Sequence, residues 1–364
     1  MNRNQYCIIM AGGNGSKFWP VTRDSLPKQF LPTVDTGKSL LQTTFERFSG
    51  LFPKENVLVI TIARYENLVR EQLPDLPEGN LLLEPYSRNT SPCIAYATYA
   101  LLKRDPDAVM VAAPSDHRIC DEAAFAKTVT GALDYAQKKD VLMTIGIIPH
   151  RPDPNYGYIQ VEGGKGAVMK DTPVKVKTFT EKPDAPLADV FFKSGEFFWN
   201  SGIYIWKAGV IKDEMEKYIP EITNLFKGWD NAIGTTAERG FLESAYTDCA
   251  KISIDYAVME KTERAWVFPA RFDWSDIDTW TSLYESLGDK DADGNYFDIP
   301  KHLSSDNRKC LVMENDKKKL VAVKGLDNYV IVDTPDALLI CPKDDKSIKD
   351  FTAGLAMPDF DNYR

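Results

Sequence analysis

The chain lacks long hydrophobic runs, paired cysteines and any surplus of positive charge. No apolar segment approaches the roughly 18 residues of a membrane span. The polar residues 1–6 precede only a brief apolar strand, not a signal-peptide core. No membrane partner and a cytoplasmic location are therefore expected. The six cysteines stand singly, without CxxC spacing. That argues against a zinc site or a disulfide framework and for reduced, mostly buried thiols. Three histidines offer little for a histidine-based metal cluster. A formal net charge of -9 gives no encouragement to nucleic-acid binding, so any basic site must be local. Two common nucleotide signatures are missing as well. A Walker A loop needs glycine directly before Lys-Ser/Thr, but Ser16 precedes Lys17 and Phe18 follows it. A dinucleotide fingerprint begun at Gly13 needs glycine where Phe18 stands.

What is present is a short apolar run, residues 7–10, that feeds a glycine-rich basic loop. Gly12, Gly13 and Gly15 are followed by Lys17, Arg23 and Lys28. Glycines let the backbone turn tightly and approach a ligand. Peptide N–H groups left unpaired there hold phosphate oxygens. Two lysines and an arginine in one segment favour a polyphosphate over a neutral ligand. The plainer alternative is a tight turn under a sheet.

At 364 residues, 43% hydrophobic and 27% charged, the chain has material for one large core and a smaller domain. Its first half alternates strand and helix. Residues 57–60, 108–113 and 141–148 read as strands. Helical spacing runs through Ala63, Leu68, Val69 and Leu73, and again through Phe125, Val129, Leu133 and Ala136. Ser91-Pro92 reads as a helix start, the hydroxyl as N-cap and the proline as first helical residue. Such alternation predicts a three-layer α/β sandwich, with ligands at the carboxyl ends of its strands. Residues 156–161 and 174–179 read as antiparallel additions that make the sheet mixed, and residues 199–206 as a further strand. Residues 254–261 read as a helix, in which Asp255 is as fit to cap or pair locally as to touch a substrate. Beyond about residue 288, short β-prone pieces alternate with charged turns. The division expected is a catalytic domain at 1–288 and a small β-rich domain with a terminal tail at 289–364.

Two aspartates follow apolar runs. Asp116 stands in Pro114-Ser115-Asp116-His117 and Asp276 in Trp274-Ser275-Asp276. Magnesium prefers oxygen ligands and bridges carboxylates to substrate phosphates, so the pair suits phosphoryl or nucleotidyl transfer. Taken alone, each is equally a cap or turn residue.

The segment from Gly12 to Pro20, with Pro27-Lys28-Gln29-Phe30, resembles the signature of sugar-1-phosphate nucleotidylyltransferases. More narrowly, it resembles the mannose-1-phosphate guanylyltransferases, or GDP-mannose pyrophosphorylases. The resemblance continues in order through Glu84-Pro85, Arg88-Asn89-Thr90, Pro114-Ser115-Asp116-His117, Tyr156-Gly157-Tyr158-Ile159 and Glu181-Lys182-Pro183. It goes on through Trp199-Asn200-Ser201-Gly202, the 253–257 stretch, Trp274-Ser275-Asp276 and residues 333–339. It implies a nucleotide-binding α/β domain followed by a left-handed β-helix domain, the latter contributing to a homodimer. The implied reaction joins GTP and α-D-mannose 1-phosphate into GDP-mannose and diphosphate, with Mg2+. No isomerase activity is expected from a chain of this length.

The resemblance also implies roles. Lys17 and the loop residues Gly12, Gly13, Asn14, Gly15 and Ser16 would hold the triphosphate. Lys28 would reach the α-phosphate or the incoming phosphate, and Asp116 and Asp276 would hold the metal. Glu84 and Asn89 fall in the nucleotide-binding stretch. A carboxylate at Glu84 has only acceptors, which suit the adjacent N1–H and N2–H2 donors of guanine. Lys182 would anchor the sugar phosphate, Glu181 and Asn200 would take sugar hydroxyls, and Gly157 would permit close approach. Two departures bear on chemistry. Ser16-Lys17 replaces the usual Thr-Arg, and Asp278 stands where glycine is usual beyond Asp276. Other readings are another nucleotide and sugar specificity on the same scaffold, or a silent regulatory protein that binds GDP-mannose.

Overall fold

The computed structural model describes residues 3–13, 15–33, 36–315, 318–345 and 347–364. In chain order the strands are β1 (Gln5–Met10), β2 (Val57–Ile62), β3 (Leu81–Glu84), β4 (Val109–Pro114), β5 (His117–Arg118) and β6 (Leu142–Ile147). Then come β7 (Tyr158–Val161), β8 (Val174–Thr180), β9 (Phe197–Lys207), β10 (Ala265–Ala270) and β11 (Ser275–Asp276). The last six are β12 (Tyr296–Asp298), β13 (His302–Ser305), β14 (Leu311–Glu314), β15 (Val321–Lys324), β16 (Tyr329–Asp333) and β17 (Leu338–Pro342). The chain forms two compact units that are not contiguous in sequence. The first holds residues up to 12, 44–115 and 119–274. The second holds 13–43, 116–118 and 275–364.

The first unit is built on a nine-stranded sheet of order β3-β2-β1-β4-β9-β6-β10-β8-β7. Strands β1 to β4 run parallel to one another, and β6 runs parallel to β10. The long β9 is inserted antiparallel between β4 and β6, and β7 and β8 add antiparallel pairs. The sheet is therefore mixed, as expected. Its parallel part carries near-continuous apolar strands because both faces are covered. All six residues of β2 are buried. One set of alternate residues, including Ile8, Met10, Leu58, Ile60, Met110 and Ala112, shares a core with the helices Thr90–Arg104 and Ala208–Tyr218. The other set, including Cys7, Ile9, Val57, Val59 and Val111, points to the opposite face and is equally buried. Helix Glu122–Lys138 contacts β4, β6, β9 and β10, and its N-cap Asp121 accepts from Ala124 N at 2.9 Å.

The second unit contains the β-rich segment. Strands β12, β14 and β16 stack in parallel, and β13 pairs in parallel with β15. This is the β-helix-like pattern expected of the C-terminal part. The antiparallel β17 closes one edge of the stack. Alternation places Cys310, Val312 and Ile331 in one core with Ile299 and Val323. The intervening Leu311, Val330 and Val332 face another core, with Leu339, Ile277, Trp280 and Phe18. Phe18 lies beside the glycine loop, and its ring meets Trp280 edge-on at 4.9 Å.

Two local expectations are corrected. Helix Thr90–Arg104 starts earlier than Ser91, with Asn89 as N-cap accepting from Thr90 N at 2.8 Å. Asn has the same short acceptor as Ser, so the sequence signal was one of type rather than position. The stretch 254–261 is not a regular helix. It holds one π-helical turn, Asp255–Met259, a form that recurs at functional sites. Among the described residues, no helix is long and apolar enough to cross a membrane, and all six cysteines are free.

Candidate active site

In the second unit the two-residue strands β5 and β11 pair antiparallel, setting His117 opposite Asp276 and Arg118 opposite Ser275. This short ribbon brings the aspartates together. Ligand atoms of Asp116, His117 and Asp276 all lie within 4.8 Å of one another. Lys28 opens a single 3-10 turn, Lys28–Phe30, whose Gln29 and Phe30 are buried. Its ammonium reaches Asp116 Oδ2 at 2.9 Å, Asp278 Oδ1 at 3.0 Å and Asp276 Oδ1 at 3.8 Å. It also donates to the Ile277 carbonyl at 2.7 Å. Lys17, in the turn Gly15–Phe18, pairs with the same Oδ1 of Asp278.

Burial alone would lower the Lys28 ammonium. The charges of Asp116, Asp276 and Asp278 outweigh it and hold the group protonated well above the ordinary lysine range. Burial would likewise raise Asp116, but Lys28 and then His117 hold it below the usual carboxylate range. Asp278, despite burial, is held low by Lys28 and Lys17. Asp276 goes the other way: burial, with Asp116 and Asp278 beside it, pushes it up to about 7 against the pull of Lys28. The donor set fits a hard divalent cation. Two carboxylates already converge on a positive charge, and oxygen ligands are what magnesium prefers. A cavity of about 530 Å³ in this unit has Lys28 and Arg118 on its wall, but Phe18, Val21, Trp280 and Leu283 make it largely apolar. The positive charges in this unit that could face a polyphosphate are Lys17 and Lys28, not the apolar wall.

The remaining expected residues lie in the first unit, apart from the loop. Gly13 has φ +123°, which suits glycine alone. Asn14 and the Ser16 side chain lie outside the described residues. Glu84 ends β3 and is 4% exposed, so it is not a surface glutamate. Burial pushes its carboxyl up to about 7, against hydrogen bonds from Tyr246 and Cys93. The Tyr246 hydroxyl lies 3.0 Å from Glu84 Oε1 and 3.1 Å from the Pro92 carbonyl. One hydroxyl proton cannot fully serve both acceptors at once. The other oxygen, Oε2, lies toward Gly12. Asn89 sits at φ 68°. Its neighbour Arg88 donates to the Tyr246 and Thr247 carbonyls, both at 3.0 Å, at the end of helix Glu238–Thr247.

Gly157, Glu181 and Asn200 come together. A Cβ on Gly157 would collide with the Glu181 carboxylate and lie 3.3 Å from Asn200 Cβ. Glu181 is pushed up to about 7 by burial and then by the charge of Asp255, with Lys182 opposing. Lys182 is in the left-handed region at φ 46°, has a side chain 60% exposed, and lies 3.9 Å from Glu181. A lysine held at positive φ is a strained position of the kind found at ligand sites. The Asn200 amide is saturated. Its Oδ1 accepts from Thr144 Oγ1 at 2.8 Å and Gly202 N at 3.2 Å, and its Nδ2 donates to Tyr204 Oη at 3.1 Å and Asp255 Oδ1 at 3.0 Å. Tyr204 in turn donates to Asp255, which is 9% exposed. Sequence reasoning left Asp255 undecided and passed over Tyr204 and Thr144. Their signal was polarity within otherwise buried apolar strands, where a polar group needs a partner.

Comparison with known proteins places this geometry. A nucleotidyl transferase family model matches residues 6–291, and a MannoseP isomerase/GMP-like beta-helix domain model matches residues 301–350. The mannose-1-phosphate guanylyltransferase RfbM of Salmonella typhimurium is 37% identical over 347 residues, covering 93% of this chain and 69% of its own. The mannose-1-phosphate guanylyltransferase of Klebsiella pneumoniae is 38% identical, covering 92% and 70%. A solved structure described as a mannose-1-phosphate geranyltransferase from Thermus thermophilus superposes with a TM-score of 0.84 at 28% identity, covering 97% of this chain and all of that one. With both domain models matched in order and the lysine and carboxylate cluster assembled, the chain belongs to the nucleotidyl transferase family, alongside the mannose-1-phosphate guanylyltransferases.

Proposed function

We propose that this enzyme transfers GMP from GTP to α-D-mannose 1-phosphate. An oxygen of the sugar phosphate forms a bond to the α-phosphorus of GTP. The bond from that phosphorus to the bridging oxygen breaks, and diphosphate leaves with the electron pair. The nucleophile is already anionic, so no general base is needed. The chain must instead hold two anions in line and offset their repulsion. The observation that carries the reading is the convergence of Asp116, Asp276 and Asp278 on Lys28, with Lys17 sharing Asp278.

Lys17 and the amides of the loop at Gly12, Gly13 and Gly15 bind the triphosphate, and Lys28 orients the α-phosphate. Asp116 and Asp276 would hold Mg2+, which when bound supplies charge neutralisation at the phosphates. Lys182 takes the phosphate of the sugar and Glu181 its hydroxyls. Asn200, its amide already fully bonded, positions Asp255 and Tyr204. For guanine, Glu84 would offer Oε2, the oxygen on the Gly12 side, since Oε1 is engaged by Tyr246. Asn89, capping its helix, fixes the loop beside Arg88. By the two family matches residues 1–288 make up the catalytic segment and 289–364 the β-helix segment, while by compactness residues 13–43, 116–118 and 275–288 belong with the latter.

Diphosphate release tests the reading. GTP with mannose 1-phosphate should turn over in magnesium, and exchange of GTP for UTP, or of mannose for glucose 1-phosphate, should cut kcat/KM sharply. Faster turnover with another pair would replace this specificity. No turnover with any pair, despite GDP-mannose binding, would make the chain a binding protein.

A further inference from the structure

Asp278 has one carboxylate oxygen on two cations. Its Oδ1 lies 3.0 Å from Lys28 Nζ and also pairs with Lys17 Nζ. The side chains of Lys17, Lys28 and Asp278 are 42%, 12% and 28% exposed, so the contact is partly withdrawn from solvent. The carboxylate is held from its own backbone. Asp278 N donates to Ser282 Oγ at 3.0 Å, and Ser282 forms a capping box with Thr279 at the start of helix Trp280–Ser286. Formally the cluster has two ammonium groups against the carboxylates of Asp116, Asp276 and Asp278, a balance of minus one. Without Asp278 it would be neutral.

We infer that Asp278 is an internal competitor for the nucleotide's phosphates. This rests on the reading of Lys17 and Lys28 as phosphate ligands. A phosphate oxygen seeks the same place as Asp278 Oδ1: an anionic acceptor bridging two ammonium groups. Binding of a polyphosphate then exchanges one anion for another at Lys17 and Lys28. Asp278 opposes that exchange twice, by occupying the donors and by adding a like charge. Its effect falls on affinity more than on the chemical step, and it weakens with salt because the cluster is partly exposed.

Calorimetric titration of the full chain in EDTA tests this, with GTP and inorganic triphosphate as probes at low and high salt. The variants are D278N, which keeps the shape, and D278G, which removes the side chain. Both should bind inorganic triphosphate on the order of tenfold more tightly than wild type at low salt, with a smaller gain at high salt. K17A should remove most of the gain. In turnover, KM for GTP should fall more than kcat changes. Unchanged or weaker binding in both variants would overturn the inference, since Asp278 would then only prop the lysines. The gain surviving K17A intact would also overturn it. Tighter inorganic triphosphate binding in a chain that fails to turn over GTP and mannose 1-phosphate would keep this role and remove the substrate assignment. Normal turnover with unchanged binding would do the reverse.

Discussion

Glu181 is a carboxyl whose surroundings disfavour its charge, with burial first and Asp255 second. Its folded pKa of about 7 lies above the ordinary 4.5. Between those values the folded chain keeps a proton that the unfolded chain has lost. Stability contributed at this position is therefore full at low pH and is lost as pH rises from about 4.5 to about 7. E181Q should flatten the fall in Tm across that window. Some slope should remain, because Asp255 is raised by the same burial. An unchanged slope in E181Q would place the titration elsewhere. Lys182 next door tests the sugar end. K182A should raise KM for mannose 1-phosphate by on the order of tenfold or more while leaving KM for GTP nearly unchanged. Equal effects on both substrates would mean that the strained lysine serves the fold. At this scale a motif singled out Gly157, Glu181 and Lys182, and the structure sets Gly157 against Glu181 and Asn200. The sequence was not legible at Asp255, because its partners Asn200 and Tyr204 lie 55 and 51 residues away and nothing local announces the pairing.

Among the elements, the ribbon of β5 and β11 is the smallest and the most consequential. Each strand has two residues, too short for any periodicity to reveal. The sequence showed two aspartates after apolar runs and could not bring them together. The pairing of His117 with Asp276 does so, and the half-buried Lys28 holds the carboxylates at close quarters. D276N keeps the shape and the ribbon's backbone bonds but removes one negative charge from the set. Lys28 retains Asp116, Asp278 and the Ile277 carbonyl, so the fold should survive. Turnover should fall by on the order of 10²-fold, with a higher magnesium requirement. Full activity at unchanged magnesium would exclude Asp276 from the metal site. Several longer elements, such as β6 and the helix Glu122–Lys138, were legible to within a few residues, whereas the helices Leu40–Ser49 and Ala185–Ser194 were not read. The π-turn at Asp255–Met259 was not legible as such, since its apolar spacing imitates a regular helix.

For the whole molecule, the β-rich segment was legible as a module, but its shared core was not. Apolar periodicity says which residues are buried, not what they meet. Here Leu311, Val330, Val332 and Leu339 share a core with Phe18 and Trp280, so the turn that bears Lys17 rests on residues more than 290 positions later in the chain. Other links tie the same segments: Trp19 Nε1 donates to the Tyr363 carbonyl at 2.7 Å, and Arg23 pairs with Asp336 at 2.8 Å. If this is one cooperative body, damage deep in the β stack must be felt at the basic loop. V330A is the measured way to ask. Val330 is fully buried in β16 and far in sequence from the loop. Truncating it should cost about 2 kcal/mol, which is on the order of a 30-fold rise in opening. Hydrogen exchange followed by mass spectrometry should show that rise in β14 and β16. It should show a similar rise at residues 29–31, where Phe30 and Leu31 amides are bonded to the Pro27 and Lys28 carbonyls. An independent β domain would confine the change to residues beyond 289 and leave the 29–31 amides at their wild-type rate. That result would detach the β stack from the loop and leave Phe18 and Trp280 to support Lys17 alone.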